Sequence, residues 1–506
     1  MHRAIAFRWR REACVRGLCG SKHEDRCAPR AGRDASRCAT SNRFTGCGGG
    51  LDCPILEPRS MTRAAAVCLC VATVRAMAPP TITKTIPRMA PMPKMLTSET
   101  PGTWAHDTMS RRVVEDILDK VVYGDNDAAP WFETAKPALD ALRAEILSNA
   151  PLTAIPDDGG ADVEAWNALL DAYPGSWLSA PWLVAEFYLY RRVAAATAWF
   201  AGGNAAGDLA ATPDVFAASK TAGLASAAAT LEALAARTRT LLKDPDATPF
   251  FLSLALWGNR MDLSLWPADS GVAASSEAFD AVLASSAEQL LADDTDAVAA
   301  TVSNLRTQGG GVVDLVVDNA GFELCTDLLL AEHLVASGAA SAVRFRVKHH
   351  PTFVSDALER DVDAHIETLA ADASKPAAAE LAAKWKARRA SGAFVCQAEP
   401  YWAMPYPLWE MPTALREELR RTSGLVIVKG DANYRRALGD RPWPLDAPFA
   451  DVCSYPPAPM CCLRTLKAEL GCGMASSKTD RAAAADDTWL TDGKWGVVHF
   501  APASAE

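Results

Sequence analysis

Several features that would assign this chain to a familiar class are missing from its sequence. No run of about 18 or more apolar residues occurs, which excludes a membrane-spanning helix. Eight of the fourteen cysteines lie in residues 1–80, where none forms a Cys-x-x-Cys pair and the spacings match no zinc template. The other six are scattered, so we expect a reducing compartment and no disulfide framework. No internal repeat is visible.

Positive charge is scarce in most of the chain. Residues 1–80 carry thirteen Arg and one Lys against six acids, a net charge of +8; because the whole chain carries −10, the remaining residues carry −18. An acidic body argues against a nucleic-acid surface as the main function. We therefore predict that neither nucleic acid nor a membrane is a partner.

The N-terminal segment lacks apolar periodicity and is rich in Arg, Cys and Gly. From Met61 it has a basic start, a short apolar run over 64–74 and a small-x-small site at 76–78, which is typical of a targeting peptide. The alternative is an over-extended gene start whose true beginning is Met61 or later. We predict that residues 1–95 are a disordered, targeting or spurious extension. We also predict a cytoplasmic protein, or an organellar one if residues 1–80 are a true transit segment.

The body divides by pattern into two parts. Residues 96–305 are predicted to form a mostly helical domain, with Ala- and Leu-rich helical segments at 215–242 and 277–305. Residues 306–506 are predicted to form an α/β domain, because strand patterns alternate with helical ones and so favour a mostly parallel sheet. The predicted strands are Val312–Val317, Val343–Val347, Phe394–Gln397, Leu425–Val428 and Trp495–Phe500.

The first of these strands ends in Asp318 and Asn319, and Gly321 then opens a helical pattern. In open α/β sheets, ligands bind in the crevice beyond the carboxyl ends of the strands. Two hard oxygen donors at such a crevice suit Mg²⁺ or Mn²⁺ better than zinc. Ordinary turn chemistry also places Asp and Asn at strand ends, so this motif alone leaves both interpretations open.

Further polar groups follow other predicted strands. Asp356 offers a third oxygen donor, and Lys429, Arg464 and Lys467 offer positive charge for phosphoryl oxygens. Arg464-Thr465-Leu466-Lys467 is predicted to open a short helix, and 431–435 to form a loop. Together these residue types indicate a divalent metal and a phosphate. Each also has a structural alternative: Asp356 as a helix cap, Asp431 and Asn433 as turn residues, and Lys467 as a solvated helix residue.

Five segments in order resemble the signature of the metal-dependent damage-control phosphatases: 256–264, 318–323, 353–356, 429–435 and 464–467. The Arg-Thr-x-Lys motif at 464–467 is similar to that of subfamily III, also called acidic residue methyltransferase-like. The resemblance runs from about Pro101 to Gly496 and omits residues 1–95. Thr352 departs from the family pattern, which has an aromatic before Phe-Val-Ser-Asp, and this puts the pocket shape in question.

The resemblance implies a fold, an activity and a set of site residues. The fold would be a three-layer α/β/α sandwich with a mostly parallel sheet, joined to an N-terminal helical bundle. The activity would be hydrolysis of small phosphometabolites such as fructose 1-phosphate and related sugar phosphates, with Mn²⁺ or Ni²⁺ as cofactor and Co²⁺ or Mg²⁺ as alternatives. Asp318, Asn319 and Asp356 match the metal ligands and are the expected catalytic residues. The expected substrate-binding residues are Glu323, Asp431, Ala432, Asn433, Tyr434, Arg435 and Lys467, to which the charge argument adds Lys429 and Arg464.

The competing function is an S-adenosylmethionine-dependent protein-glutamate O-methyltransferase, an activity also ascribed to this family. A methyl-donor loop needs glycines just after the first strand, where backbone must approach the ligand closely. Here Gly309–Gly311 precede the strand and only Gly321 follows it. The sequence therefore favours a hydrolase. A non-catalytic sugar-phosphate-binding protein is the third possibility, and the full set of ligand-type residues argues against it.

Overall fold

A seven-stranded sheet forms the centre of the molecule. The computed structural model describes residues 87–201, 214–264 and 286–505, without the side chains of residues 259–264. The sequence motif at 256–264 therefore lies partly outside the described residues. The strands are β1 Leu290–Asp293, β2 Gly311–Val316, β3 Ala340–Arg346, β4 Phe394–Gln397, β5 Ser423–Lys429, β6 Met460–Thr465 and β7 Gly496–Ala501.

The strand order across the sheet is β1-β7-β6-β5-β2-β3-β4. All neighbouring pairs are parallel except β6 and β7, which are antiparallel. The prediction of a mostly parallel sheet in an α/β fold is confirmed. From β2 the chain moves outward through β3 and β4 and then returns to β5 on the other side of β2. The crevice between the carboxyl ends of β2 and β5 is thus a topological switch point, where open α/β sheets bind ligands.

Helices cover both faces of the sheet. They are α1 Trp104–Asp107, continued by a π-helix over Thr108–Tyr123, α2 Phe132–Leu147, α3 Val163–Ala172, α4 Trp182–Ala196, α5 Ala217–Thr238, α6 Thr248–Ser264, α7 Thr295–Thr307, α8 Phe322–Ala336, α9 Glu359–Ala371, α10 Pro376–Ser391, α11 Thr413–Thr422, α12 Asp431–Ala437, α13 Phe449–Val452 and α14 Ser476–Ala485. Helix α10 begins at Pro376, which suits the first position of a helix because its missing N–H is not needed there. Among the described residues, no helix is both long enough and apolar enough to cross a bilayer.

The alternation of side chains along β5 separates two hydrophobic cores. Leu425 and Ile427 pack with α5, α6, α8 and α9 on one face. Val426 and Val428 pack on the other face with α2, α4 and many of the apolar residues between Tyr401 and Met474. Alternating residues of a strand point to opposite faces of the sheet, so a continuous apolar run serves both cores. The result is a three-layer arrangement.

Two sequence-based assignments that concern strands of the sheet were wrong. The predicted helix at 277–305 contains β1, a strand of only four residues whose Leu-Leu-Ala pattern suits a helix equally well. The segment expected to open a helix at Arg464 instead ends β6, and residues 466–469 form no helix. Burial of β6 on both faces removes the alternation that identifies a half-exposed strand.

The division of the body at residue 305 stays a prediction. In the structure, β1 pairs with β7, and α5 and α6 share a core with the sheet, so these elements before residue 305 contribute to the central layers. The N-terminal extension also stays a prediction, since residues 1–86 lie outside the described part. Residues 87–95, assigned to the same extension, contact the body: the Arg88 N–H donates to Ser454 Oγ, and Arg441 donates to the Pro93 carbonyl.

Candidate active site

A cavity of about 430 Å³ opens at the carboxyl ends of β2 and β5. Its volume is within the range of about 300–1,000 Å³ that small-molecule sites occupy. The residues that line it are Trp104, Thr108, Arg112, Val113, Ile117, Trp182, Glu186, Tyr190, Asp318, Asn319, Phe353, Val354, Ser355, Asp356, Asp431, Ala432, Arg435, Lys467, Thr491 and Asp492.

Asp318 and Asn319 follow β2 and form one wall of the cavity. The Asn319 amide donates to Asp318 Oδ2 at 2.9 Å and to Glu323 Oε2 at 2.8 Å, and Ser355 Oγ donates to Asn319 Oδ1. The Asp318 carbonyl accepts from Ala357 N at 2.8 Å, which joins this turn to the segment after β3. Backbone and side-chain bonds therefore hold both residues in one orientation.

The backbone after β5 approaches Asp318 very closely. Gly430 has φ of +84°, and a Cβ added there would lie 2.1 Å from Asp318 Cγ. Only glycine satisfies both requirements, because a side chain would be strained by the positive φ and would collide with the carboxylate. The β5–α12 turn thus confines Asp318 to one position.

Asp356 lies beside the same wall. It pairs with Asn319 in an isolated antiparallel bridge and is almost completely buried. Burial raises the pKa of Asp356 to about 6, although the Lys348 ammonium lies 3.4 Å from its carboxylate. Burial, and after it the carboxylates of Asp356 and Glu323, raise the pKa of Asp318 well above its ordinary value. The surroundings of this wall therefore disfavour the ionised form of both acids.

The opposite wall carries positive charge. Lys467 lies in the segment directly after β6, and its side chain lines the cavity. Its backbone N–H donates to Asp431 Oδ1 at 3.1 Å, and the same oxygen accepts from Arg464 Nε at 2.6 Å. Asp431 is the first residue of α12, so the predicted loop at 431–435 is a short helix. Asp431 thus connects two strand ends and sets the position of Lys467.

Arg435 also lines this side but is fully engaged by protein partners. Its guanidinium donates to Glu186 Oε2 at 2.6 Å and to Asp440 Oδ1 at 2.9 Å, and it stacks at 3.6 Å over the ring of Trp182. Glu186 belongs to α4. Arg435 therefore fastens the helical segment to the sheet as well as forming part of the wall.

Behind the first wall, one lysine joins two acids of α8. Lys429 Nζ donates to Glu323 Oε1 at 3.0 Å, to Asp327 Oδ1 at 2.8 Å and to the Ala255 carbonyl at 2.5 Å. Burial raises the pKa of Asp327 to about 7, against the attraction of Lys429. For Glu323, burial is outweighed by Lys429 and by the Asn319 amide, so its pKa is lowered. Glu323, Asp327 and Lys429 form what we term the buried triad.

The structure brings seven of the predicted site residues to the cavity: Asp318, Asn319, Asp356, Asp431, Ala432, Arg435 and Lys467. It places the other five behind the walls, namely Glu323, Lys429, Asn433, Tyr434 and Arg464. Among these, Asn433 donates to the Lys429 carbonyl at 2.9 Å, and Tyr434 stacks with His499. A direct substrate contact by these five remains a prediction, and their observed contacts support the residues in front of them.

Several lining residues were missed in the sequence. Trp104 and Arg112 come from α1 and its π-helical continuation, where the guanidinium lies 4.4 Å over the indole ring. Tyr190 and Glu186 come from α4. No local motif marks these positions, because they reach the cavity only through the packing of helices from a distant part of the chain.

The donors of the first wall fit a divalent cation. Asp318 and Asp356 supply carboxylate oxygens, and Asn319 supplies an amide oxygen that Ser355 already orients. Asp356 Oδ2 is buried and has no hydrogen-bond partner among the described residues. Oxygen donors of this kind suit Mg²⁺ and Mn²⁺. A cation there would also favour the ionised form of both acids, whose pKa values burial raises.

Comparison with known proteins gives consistent matches. Residues 109–482 match the damage-control phosphatase ARMT1-like domain. The chain is 32% identical over 454 residues to the damage-control phosphatase ARMT1 of Mus musculus, covering 81% of this chain and 99% of that protein. The ARMT1 of Homo sapiens is 30% identical over 458 residues, covering 81% and 99% respectively. A DUF89 family protein from Pyrococcus horikoshii aligns with 70% of this chain and 96% of its own at 13% identity, with a TM-score of 0.37. The span matched by the family, residues 109–482, contains Asp318, Asn319, Asp356, Asp431, Arg435 and Lys467 of the cavity.

Proposed function

The chain belongs to the ARMT1-like damage-control phosphatase family, and from that premise we propose that it is a metal-dependent phosphatase of small phosphometabolites. Fructose 1-phosphate and related sugar phosphates are the substrates we propose, with Mn²⁺ or Ni²⁺ as the activating ion. Membership of subfamily III and a cytoplasmic location belong to the same proposal.

One observation carries the proposal. A single cavity at the switch point of the sheet is lined by the oxygen donors of Asp318, Asn319 and Asp356 and by the side chain of Lys467. A phosphate monoester is an anion that a cation and an ammonium group can hold between them. The two walls therefore match a phosphoryl group that lies between a metal and a lysine.

The residues of the chain divide the work of hydrolysis. Lys467 neutralises charge on the phosphoryl oxygens, and the start of α12 at Asp431 and Ala432 faces the rest of the substrate. Water attacks phosphorus, the bond from phosphorus to the sugar oxygen breaks, and the sugar leaves as an alcohol. Asp356 and Glu323 are the two candidates for the general base. Asp356 lines the cavity, whereas Glu323 is paired with Lys429 behind it. Asp356 is therefore better placed to accept the proton of the water.

A divalent ion bound by the first wall would polarise the phosphate and lower the pKa of a bound water. The chain itself supplies the orientation: Ser355 and Glu323 hold the Asn319 amide, and Gly430 allows the β5–α12 turn to close on Asp318. Aromatic residues Trp104, Trp182 and Phe353 surround the cavity and limit the access of bulk water.

Phosphate release from a panel of sugar phosphates tests the proposal. The full chain is freed of metal with a chelator and then assayed with Mn²⁺, Ni²⁺, Co²⁺ or Mg²⁺, with and without S-adenosylmethionine. We expect release of inorganic phosphate that requires the ion, is independent of S-adenosylmethionine and is lost in Asp318→Ala. Asp451→Ala, an exposed acid that does not line the cavity, is the matched control. Absence of phosphate release with every ion, or methyl transfer in its place, would contradict the proposal.

A further inference from the structure

A second group of metal-ligand side chains lies outside the cavity residues. Asp162 immediately precedes α3, and His349 and His350 follow β3; one ligand atom from each lies within 4.8 Å of the others. Asp162 and His350 are fully buried, and the side chain of His349 is 7% exposed. Sequence reasoning did not single out this group, because its acid and its histidines are far apart along the chain.

The imidazole of His350 is held in a fixed orientation. Its Nδ1 lies 3.0 Å from the Pro351 carbonyl and 3.2 Å from Thr352 Oγ1, and that hydroxyl donates to the His350 carbonyl at 2.9 Å. An Nδ1–H that donates to a carbonyl leaves the lone pair on Nε2. His350 Nε2 is buried and has no hydrogen-bond partner among the described residues. A buried lone pair without a partner is costly unless a ligand completes it.

The side chains of His349 and Asp162 also have buried polar atoms without a hydrogen-bond partner among the described residues. Both ring nitrogens of His349 lack a hydrogen-bond partner among the described residues, with Nε2 only 3.4 Å from Asp162 Oδ2. Asp162 occupies the N-cap position of α3, yet its side chain makes no capping bond, and its Oδ1 is also without a partner in this part of the chain. Asp is favoured at this position because it usually caps the helix. Here the carboxylate is directed to the histidines instead.

A neighbouring arginine keeps the local charge compatible with a cation. Arg191 donates from Nε to Asp162 Oδ2 at 2.9 Å, and its two terminal nitrogens donate to Asp158 at 2.7 and 2.9 Å. Two carboxylates and one guanidinium leave one net negative charge beside the two imidazoles. A ligating carboxylate is commonly hydrogen-bonded on its other side, and Arg191 fills that role.

We propose that Asp162, His349 and His350 form a second metal site, which takes a zinc-class ion (Zn²⁺, Ni²⁺ or Co²⁺). Two imidazole nitrogens and one carboxylate suit these ions better than Mg²⁺, in contrast to the all-oxygen wall of the cavity. Zinc bonds to nitrogen at about 2.0–2.1 Å, so the donors must move closer together than their present spacing by side-chain rotation. A water completes the coordination.

Such an ion would join two separate parts of the fold. Asp162 belongs to the N-terminal helical segments, whereas His349 and His350 begin the loop that ends at Asp356 and contributes Phe353 and Val354 to the cavity. Phe353 and Val354 have φ of +49° and +67°, a conformation that needs support from its surroundings. The proposed ion is therefore a structural clamp that holds this loop in place.

Zinc stoichiometry and X-ray absorption on the metal-stripped full chain test the site. Asp318→Ala removes a ligand of the cavity site, so zinc bound by this variant after dialysis reports the second site. We expect one ion per chain with the scattering pattern of coordinated imidazole, and loss of that ion in Asp318→Ala/His350→Gln. His333→Gln in the same background is the control, since His333 is equally buried but stacks on Phe251 and bonds Thr248.

Two results would overturn the proposal of a second metal site. Asp318→Ala protein that binds no zinc, or binds it through oxygen ligands alone, would overturn the proposal. Retention of the ion when both His349 and His350 are changed to Gln would overturn it as well. If the His350 variant fails to fold, the absorption spectrum of Asp318→Ala still decides, because imidazole scattering cannot come from the cavity wall. This test measures no turnover and is independent of the proposed phosphatase activity.

Discussion

Two neighbouring groups of buried acids differ in how their charge is balanced. In the buried triad, Lys429 donates to both Glu323 and Asp327. The pKa of Glu323 is lowered, and the pKa of Asp327 is still raised by burial. In the cavity wall, the pKa values of Asp318 and Asp356 are both raised, and Asp356 Oδ2 has no hydrogen-bond partner among the described residues. The triad is balanced within the protein by Lys429, whereas the wall, in which Lys348 lies near Asp356 alone, is the group that a bound cation would complete.

The difference shows which buried acids indicate function. Burial of an acid is unfavourable in both groups. In the triad Lys429 donates to both acids, whereas in the wall the Lys348 ammonium lies 3.4 Å from Asp356 alone. The amide of Asn319 connects the groups by donating to both Asp318 and Glu323. We infer that the triad supports the fold and orients Asn319, and that the wall binds the metal. The predictions below test this division from the largest expected effect to the smallest.

Replacement of Lys429 should cause the largest loss of stability. Lys429→Met removes the ammonium that donates to Glu323 and Asp327, which are both buried. Breaking a buried ion pair in this way costs about 3–5 kcal/mol. Urea unfolding at neutral pH measures the change. The triple variant with Glu323→Gln and Asp327→Asn should recover part of the loss, since it removes the uncompensated charge. An unfolding midpoint in Lys429→Met equal to that of the wild type would contradict the structural role of the triad.

Replacement of Lys467 should act on catalysis and leave stability nearly unchanged. Lys467 is half-buried at the cavity and neutralises phosphoryl charge, so Lys467→Met should reduce kcat/KM by about 2–4 kcal/mol of transition-state stabilisation. Steady-state kinetics on fructose 1-phosphate measure this effect. Lys375→Met, a half-buried lysine that does not line the cavity, is the control. An unchanged kcat/KM would return Lys467 to the role of a solvated lysine.

The stability of the wild type should depend on pH differently from that of Asp327→Asn, because the pKa of Asp327 is raised in the folded protein. The pKa of Asp327 is about 7 in the folded protein and about 3.9 when unfolded, so its contribution to stability is full below about pH 4 and is lost as pH rises through 7. The slope of this loss is at most about 1.4 kcal/mol per pH unit. The free energy of unfolding of the wild type, measured relative to Asp327→Asn, should therefore fall between pH 4 and 7. A flat difference would show that the pKa of Asp327 is not raised in the folded protein.

Removal of the N-terminal segment should have the smallest effect, because its sequence shows no apolar periodicity that would pack on the body. Deletion of residues 1–86 should leave the Tm and kcat/KM close to those of the full chain. Deletion of residues 1–95 should lower the Tm, since it also removes the contacts of Arg88 and Pro93 with the body. Thermal unfolding of the two truncations compares them directly. A large loss of stability in the shorter deletion would show that residues 1–86 have a structural role.

The residues of the first wall and of the segment after β6 were predictable, because each belongs to a short motif in the sequence. The β-branched run before Asp318, the glycine after it and the ordered motifs at 353–356 and 464–467 each carry a recognisable pattern. The burial of Lys429 was missed, although the alternation of β5 places it on the same face as Leu425 and Ile427. On that face α8 presents Glu323 and Asp327, which are four residues apart and therefore adjacent on one side of the helix.

The remainder depended on contacts between distant segments. Trp104, Arg112 and Tyr190 reach the cavity through helix packing that no short motif specifies. The strand β1 is too short for its pattern to differ from that of a helix, and its place in the sheet is set by pairing with β7. The Asp162–His349–His350 group likewise forms only when α3 meets the loop after β3.

A matched pair of substitutions tests the central distinction most directly. Asp318→Asn and Asp327→Asn make the same chemical change at two buried acids, one in the cavity wall and one in the triad. Measurement of metal-dependent kcat/KM and Tm for both should show a loss of about 10²-fold or more in activity for Asp318→Asn at an unchanged or higher Tm. For Asp327→Asn we expect activity within a few-fold of the wild type. Full activity in Asp318→Asn, with activity lost in Asp327→Asn at an unchanged Tm, would contradict the assignment of the wall to metal binding and of the triad to the fold.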